Sequence, residues 1–166
     1  MITLVLGGTR SGKSVIAEAL LATMNTSVTY LATAEAGDDR EFLDRVAQHK
    51  RRRSREWTTI ECGANLIAAL NRIEGAILID SLGTWLAGWR DFKVDTEALL
   101  EALSRRSGDV VIVSDEVGLG VHPSTDVGRA FRDAMGSLNQ SVAERADRVV
   151  LVVAGQVLTL KSEETQ

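Results

Sequence analysis

The chain has 166 residues, 45% of them apolar and 25% charged, with a formal net charge of −4. That length suits a single domain with its own core, and the acidic balance argues against a general nucleic-acid binder. A lone cysteine, Cys62, excludes an intramolecular disulfide and fits a reducing interior, and no apolar run approaches the roughly 18 residues that span a bilayer. The expectation is a cytoplasmic protein with no membrane span, whose N-terminus is a core strand and not a cleavable signal.

The first apolar run, Ile2 to Leu6, reads as a strand. It leads into Gly7-Gly8-Thr9-Arg10-Ser11-Gly12-Lys13-Ser14, and Val15, Ile16, Ala19 and Leu20 then follow at helical spacing. Strand, glycine loop and helix in the order Gly-x-x-x-x-Gly-Lys-Ser is the phosphate-binding P-loop. Val28 to Ala32 is β-branched and aromatic, a second strand. Asp38 with Glu41 resembles a helix start, and Phe42, Leu43, Val46 and Ala47 would share one face of that helix, with His49 at its border. Lys50-Arg51-Arg52-Arg53-Ser54-Arg55 is the concentrated charge run. Trp57 to Glu61 reads as a short strand and Ala64 to Arg72 as a short helix.

Ala76 to Asp80 is a continuous apolar run ending in a carboxylate, the pattern of a buried parallel strand. Leu82 to Trp89 reads as an apolar helix with Trp85 and Trp89 stacked at i, i+4, and Asp95 to Arg106 as an amphipathic one. Val110 to Ser114 is another buried strand, ending in Asp115 and Glu116. Gly118-Leu119-Gly120 leads to Pro123, and Thr125 to Ala146 reads as one long helix. Val149–Val153 and Val157–Leu160 close the chain as a hairpin around Gly155-Gln156. The whole is expected to be one α/β domain over residues 1–161, a mostly parallel sheet with helices on both faces, followed by a frayed polar tail at 162–166.

A P-loop implies a nucleoside triphosphate and Mg²⁺: Lys13 reaches the β/γ-phosphates, and the Ser14 hydroxyl is a metal ligand. Asp80 and Asp115 both end buried strands, so each is a candidate for holding the metal or, alternatively, a helix-starting acid. Glu116 is either a general base toward an acceptor hydroxyl or an exposed loop acid. Arg45, Arg52 and Arg53 flank His49 at i−4, i+3 and i+4, which disfavours imidazolium and leaves a neutral nucleophile. Spacing alone favours the plainer reading, a helix-end histidine satisfied by solvent or a carbonyl. The basic run is a solvated face, a phosphate clamp or, third, a nucleic-acid contact. Trp85 and Trp89 read as core or subunit contacts, Cys62 as a small buried residue, and His122 has no nameable partner.

Taken together, these residues resemble the bifunctional adenosylcobinamide kinase/adenosylcobinamide-phosphate guanylyltransferase family of cobalamin biosynthesis. The likeness spans nearly the whole chain. It rests on Gly7 to Ser14, Tyr30 to Ala34, His49-Lys50-x-x-Arg53-x-x-x-Trp57 and Glu61, and then on Val113-Ser114-Asp115-Glu116-Val117-Gly118-x-Gly120. Phe131-Arg132-Asp133-x-x-Gly136-x-Leu138-Asn139-Gln140, Ala146-Asp147 and Val152 to Gly155 complete it. The resemblance implies a RecA-like P-loop fold, typically a homotrimer. It also implies that His49 attacks the α-phosphate of GTP and carries GMP as a phosphoramidate to adenosylcobinamide phosphate, and that ATP or GTP first phosphorylates adenosylcobinamide. Nucleotide contacts carried over by the resemblance are Gly7, Gly8, Thr9, Arg10, Ser11, Gly12, Lys13 and Ser14; Ala32, Thr33 and Ala34; Lys50, Arg51, Arg52 and Arg53; and Glu61 and Asp80.

The chain departs from the family pattern at Ser54, Val157, His122 and Asp115, the last standing where asparagine is frequent. An acid at Asp115 bears on metal or acceptor binding. One pocket serving both the α- and the γ-phosphate suggests a movable helix carrying His49, with Gly37 ahead of it. Two other readings compete: a simple small-molecule P-loop kinase with an incidental His49, and a RecA-like nucleotide-switched binding module.

Overall fold

Side chains alternate across the central strands and divide the core in two. The computed structural model describes residues 1–23, 27–34 and 56–162. In chain order these form β1 (Ile2–Gly7), α1 (Lys13–Ala22), β2 (Val28–Ala32) and β3 (Thr58–Glu61). A 3₁₀ turn (Gly63–Asn65) runs into α2 (Leu66–Leu70), followed by β4 (Ala76–Asp80), α3 (Leu82–Ala87), α4 (Thr96–Ser104) and β5 (Val110–Asp115). The chain closes with α5 (Asp126–Arg145), β6 (Arg148–Val153) and β7 (Gln156–Lys161). One seven-stranded sheet results, in the order β3-β2-β4-β5-β1-β6-β7, with every pairing parallel except that of β6 with β7.

Leu4, Leu6, Ile77, Ile79, Val110 and Ile112 point to one face, where α2, α3, α4 and α5 bury Leu66, Leu82, Leu99 and Met135 against them. Val5, Leu78, Val111, Val113 and Val150 point to the other, where α1 supplies Ala17 and Leu21. The expected architecture therefore holds, with helices on both faces. At the bottom of the larger layer, Arg106 donates to the carbonyls of Leu70 (2.8 Å), Ile73 and Gly75 (2.7 Å). It staples the loop before β4, and burial pushes its guanidinium pKa below the usual value.

Several boundaries differ from the sequence expectation. The helix expected over Ala64 to Arg72 is a 3₁₀ turn plus five α-helical residues, ending at Leu70. The helix expected to reach Trp89 stops at Ala87 with Gly88 as its C-cap, so Trp85 and Trp89 do not share a helical face. Trp85 is buried and donates its indole N–H to the Ala64 carbonyl, while Trp89 is 39% exposed. Both line a cavity of 390 Å³ with Asn65, Ile67 and Asp95. Asp95 lies outside α4 as its N-cap, accepting from the Ala98 N–H at 2.9 Å. The hairpin turn is Ala154-Gly155, one residue earlier than expected, both with positive φ (52° and 75°). His122 does have a partner: Arg132 Nη1 lies 2.8 Å from its Nδ1. The expected helix opened by Asp38, the moving helix with His49, the basic run Lys50 to Arg53, and the tail beyond Ser162 lie outside the described residues. Among the described residues no helix is long and apolar enough to cross a membrane.

Candidate nucleotide site

In a parallel sheet all strands end on one edge, and register decides which ends meet. Here Gly7 of β1 pairs with Asp115 of β5, and Ala32 of β2 sits between Glu61 of β3 and Asp80 of β4. That edge thus gathers Gly7 to Ser14, Ala32, Thr33, Ala34, Glu61, Asp80, Asp115 and Glu116 from five strands.

The P-loop has the geometry its glycines allow. Gly12 takes φ +96° and Arg10 takes φ +58° as the chain curls from β1 into α1. A Cβ on Gly7 would stand 2.4 Å from Ser11 Oγ and 2.9 Å from the Val152 carbonyl oxygen, so only glycine fits there. The Ser11 N–H donates to the Gly8 carbonyl at 3.2 Å, and the Gly155 N–H donates to the Ser11 carbonyl at 2.8 Å. The terminal hairpin therefore buttresses the loop from below. Gly12, as N-cap, offers α1 no side-chain cap, whereas Ser81, Asp95 and Thr125 cap α3, α4 and α5. The Lys13 N–H donates to Ser11 Oγ at 3.4 Å, and the Ser14 and Val15 amides of the first turn remain for an anion.

Lys13 Nζ lies 2.8 Å from Asp115 Oδ1 and donates to the Gly8 carbonyl at 3.2 Å. Asp115 Oδ2 is 3.5 Å from Ser81 Oγ. The carboxylate also needs the missing side chain of Gly83, since a Cβ there would come within 2.0 Å of Asp115 Oδ2. Beneath it, Asn139 from α5 accepts from Ser114 Oγ at 2.6 Å and donates to the Asp115 carbonyl at 3.0 Å. Sequence reasoning assigned no site role to Ser81, Gly83 or Asn139. The one available signal was a polar Asn139 inside the apolar stripe of α5, between Leu138 and Val142.

On the far side of the edge, Tyr30 donates its hydroxyl to Asp80 Oδ2 at 2.5 Å. Thr33 is buried, and its hydroxyl meets the Ser81 carbonyl (2.6 Å), the Ser81 N–H (2.9 Å) and the Thr84 hydroxyl (2.6 Å). Its side chain locks the ends of β2 and β4 together. Cys62 donates its thiol to the Ala32 carbonyl at 3.4 Å, and burial raises its pKa. Glu116 bends back on its own loop, Oε1 accepting from the Gly118 N–H at 2.6 Å.

Among the described residues no three His, Cys, Asp or Glu side chains form a cage for an ion. Ser14, Asp80 and Asp115 at this edge offer oxygen donors, which fit an ion that takes one or two protein oxygens and fills its octahedron with phosphates and water, as Mg²⁺ does.

The family model for cobinamide kinase/cobinamide phosphate guanyltransferase matches residues 3–160. The chain belongs to that family. It is 41% identical to the bifunctional adenosylcobalamin biosynthesis protein CobP of Pseudomonas aeruginosa, covering 98% of this chain and 99% of the relative. It is 36% identical to the bifunctional adenosylcobalamin biosynthesis protein CobU of Salmonella typhimurium, over 97% and 100%. Family membership makes it a transferase of cobalamin biosynthesis with kinase and guanylyltransferase activity. The fold alone is similar to that of the flagellar accessory protein FlaH of Methanocaldococcus jannaschii (TM-score 0.56, 17% identity, 98% of this chain and 78% of that one). It is also similar to a type III secretion ATPase of pathogenic bacteria (0.53, 12%, 95% and 56%). Both likenesses fit a RecA-like P-loop domain, as the cobinamide kinase family resemblance implied.

Proposed function

We propose that one P-loop site serves two transfers, phosphorylation of adenosylcobinamide and GMP transfer to adenosylcobinamide phosphate, with His49 carrying the GMP. In the guanylyl step an imidazole nitrogen of His49 attacks the α-phosphorus of GTP. A P–N bond forms, the bond to the β-phosphoryl oxygen breaks, and pyrophosphate leaves with the electron pair. The phosphate oxygen of the corrinoid then attacks the same phosphorus, and the P–N electron pair returns to the imidazole. In the kinase step the acceptor hydroxyl attacks the γ-phosphorus of ATP or GTP while Glu116 takes its proton; the bond from that phosphorus to the β,γ-bridging oxygen breaks, and the nucleoside diphosphate leaves with the electron pair. Lys13 and the α1 amides hold the phosphates, and Lys50, Arg51, Arg52 and Arg53 clamp the leaving pyrophosphate. Ser14 with Asp80 or Asp115 would hold Mg²⁺, which neutralises phosphate charge when bound. Ala32, Thr33, Ala34 and Glu61 border the nucleotide.

The observation that carries this reading is the convergence of the P-loop with Asp80, Asp115 and Glu116 on one sheet edge in a chain of this family. We further infer a cytoplasmic homotrimer that acts on a corrinoid without nucleic acid. The edge strand β7 supports self-association: all six residues are exposed, Val157, Leu158 and Leu160 among them.

The test is incubation with α-labelled GTP and Mg²⁺, then denaturation. Label should stay on the protein, acid-labile and base-stable, and be absent from His49→Ala. A protein that phosphorylates an alcohol acceptor without retaining label would be a simple kinase. Binding or hydrolysis alone would leave a nucleotide-switched module.

A further inference from the structure

The Lys13 ammonium does not wait free for phosphate. It is held by Asp115 Oδ1 at 2.8 Å and by the Gly8 carbonyl at 3.2 Å, with its side chain only 13% exposed. The carboxylate is itself held in place. Its backbone is fixed by the β1–β5 register and by Asn139, its other oxygen faces Ser81 Oγ, and Gly83 leaves the space it fills. A triphosphate entering the loop needs this lysine, so it must compete with a preorganised carboxylate for the same cation. We propose that Asp115 is a counter-ion that holds Lys13 in the empty loop and makes nucleotide binding depend on a divalent cation. Metal-free GTP brings its full negative charge toward Asp115 and must draw Lys13 away from it with no metal ion to take the lysine's place. GTP arriving with Mg²⁺ brings less net charge and a second cation for the carboxylate to face, so releasing Lys13 costs less. Asp115 thus selects the metal-bound form of the nucleotide before any chemistry begins.

Affinity for GTP is measured by calorimetric titration in EDTA and in Mg²⁺, for the wild type and for Asp115→Asn. The amide keeps the shape of the carboxylate and removes its charge. Metal-free GTP should bind about tenfold more tightly to the variant, with a smaller gain in Mg²⁺. In a Lys13→Ala background most of that gain should vanish, because no lysine remains to be released. Gly83→Ala, which pushes Asp115 aside without removing its charge, should likewise tighten metal-free binding. Melting curves of the nucleotide-free variants check that each is folded, and Gly83→Ala carries the test if Asp115→Asn does not fold. Unchanged metal-free affinity, an equal gain with and without Mg²⁺, or a gain that survives intact in Lys13→Ala would overturn the proposal. All titrations use a His49→Ala background, in which no GMP can be transferred, so binding alone is read and the result stands whether or not His49 carries GMP.

Discussion

Replacing Asn139 with leucine removes the clamp under the Asp115 end of β5. Ser114 is fully buried and loses the acceptor for its hydroxyl, while the Asp115 carbonyl loses the amide donor at 3.0 Å. A buried polar group left without a partner costs about 1–3 kcal/mol, so the two together should cost about 2–6 kcal/mol. For a domain of this size that corresponds to a melting temperature lower by roughly 5–25 °C. The mechanism also predicts a rescue. In Ser114→Ala/Asn139→Leu the orphaned hydroxyl is gone, and the double variant should cost at least about 1 kcal/mol less than the sum of its parts. Urea and thermal unfolding of the four proteins measure the cycle. An Asn139→Leu cost below about 0.5 kcal/mol, or strict additivity, would refute the clamp.

Other consequences can be checked in the same preparation. Ala154 holds φ +52° beside Gly155, so Ala154→Asn should stabilise the hairpin by about 0.5–1 kcal/mol, read as a higher urea midpoint. Gly7→Ala drives a methyl into Ser11 Oγ and the Val152 carbonyl, so it should abolish measurable GTP binding while leaving most of the far-ultraviolet dichroism. Burial raises the Cys62 thiol above its ordinary value of 9.0, so the folded state keeps its proton to higher pH than the unfolded chain. Its contribution to stability is therefore complete below that ordinary value and is lost as pH rises through the raised one. Cys62→Ala should flatten the alkaline limb of the stability profile, and thiol reagents should label folded wild type slowly at pH 7.5.

What could be read from the sequence was what is written locally. The P-loop lies within eight consecutive residues, and buried parallel strands show as unbroken apolar runs, so Ala76–Asp80 and Val110–Asp115 announced both themselves and their terminal acids. Nothing local says that β5 lies beside β1, and so nothing told Asp115 from Asp80 as the partner of Lys13. Asn139 acts on a residue 24 positions away, a relation only the fold creates. The Trp89 error has a different cause: apolar character reports burial and not helicity, and the run continued past the point where α3 ends. The hairpin was found from Gly155, but Ala154 adopts a left-handed conformation that its residue type disfavours, so the turn fell one residue early.

The most direct measurement is a single-turnover chase. Protein carrying labelled GMP is freed of nucleotide and mixed with adenosylcobinamide phosphate alone. The account predicts that label leaves the protein and appears, one for one, in adenosylcobinamide-GDP with no added GTP. Label that stays on the protein, or that moves only when fresh GTP is supplied, would contradict a guanylylated His49 as the carrier.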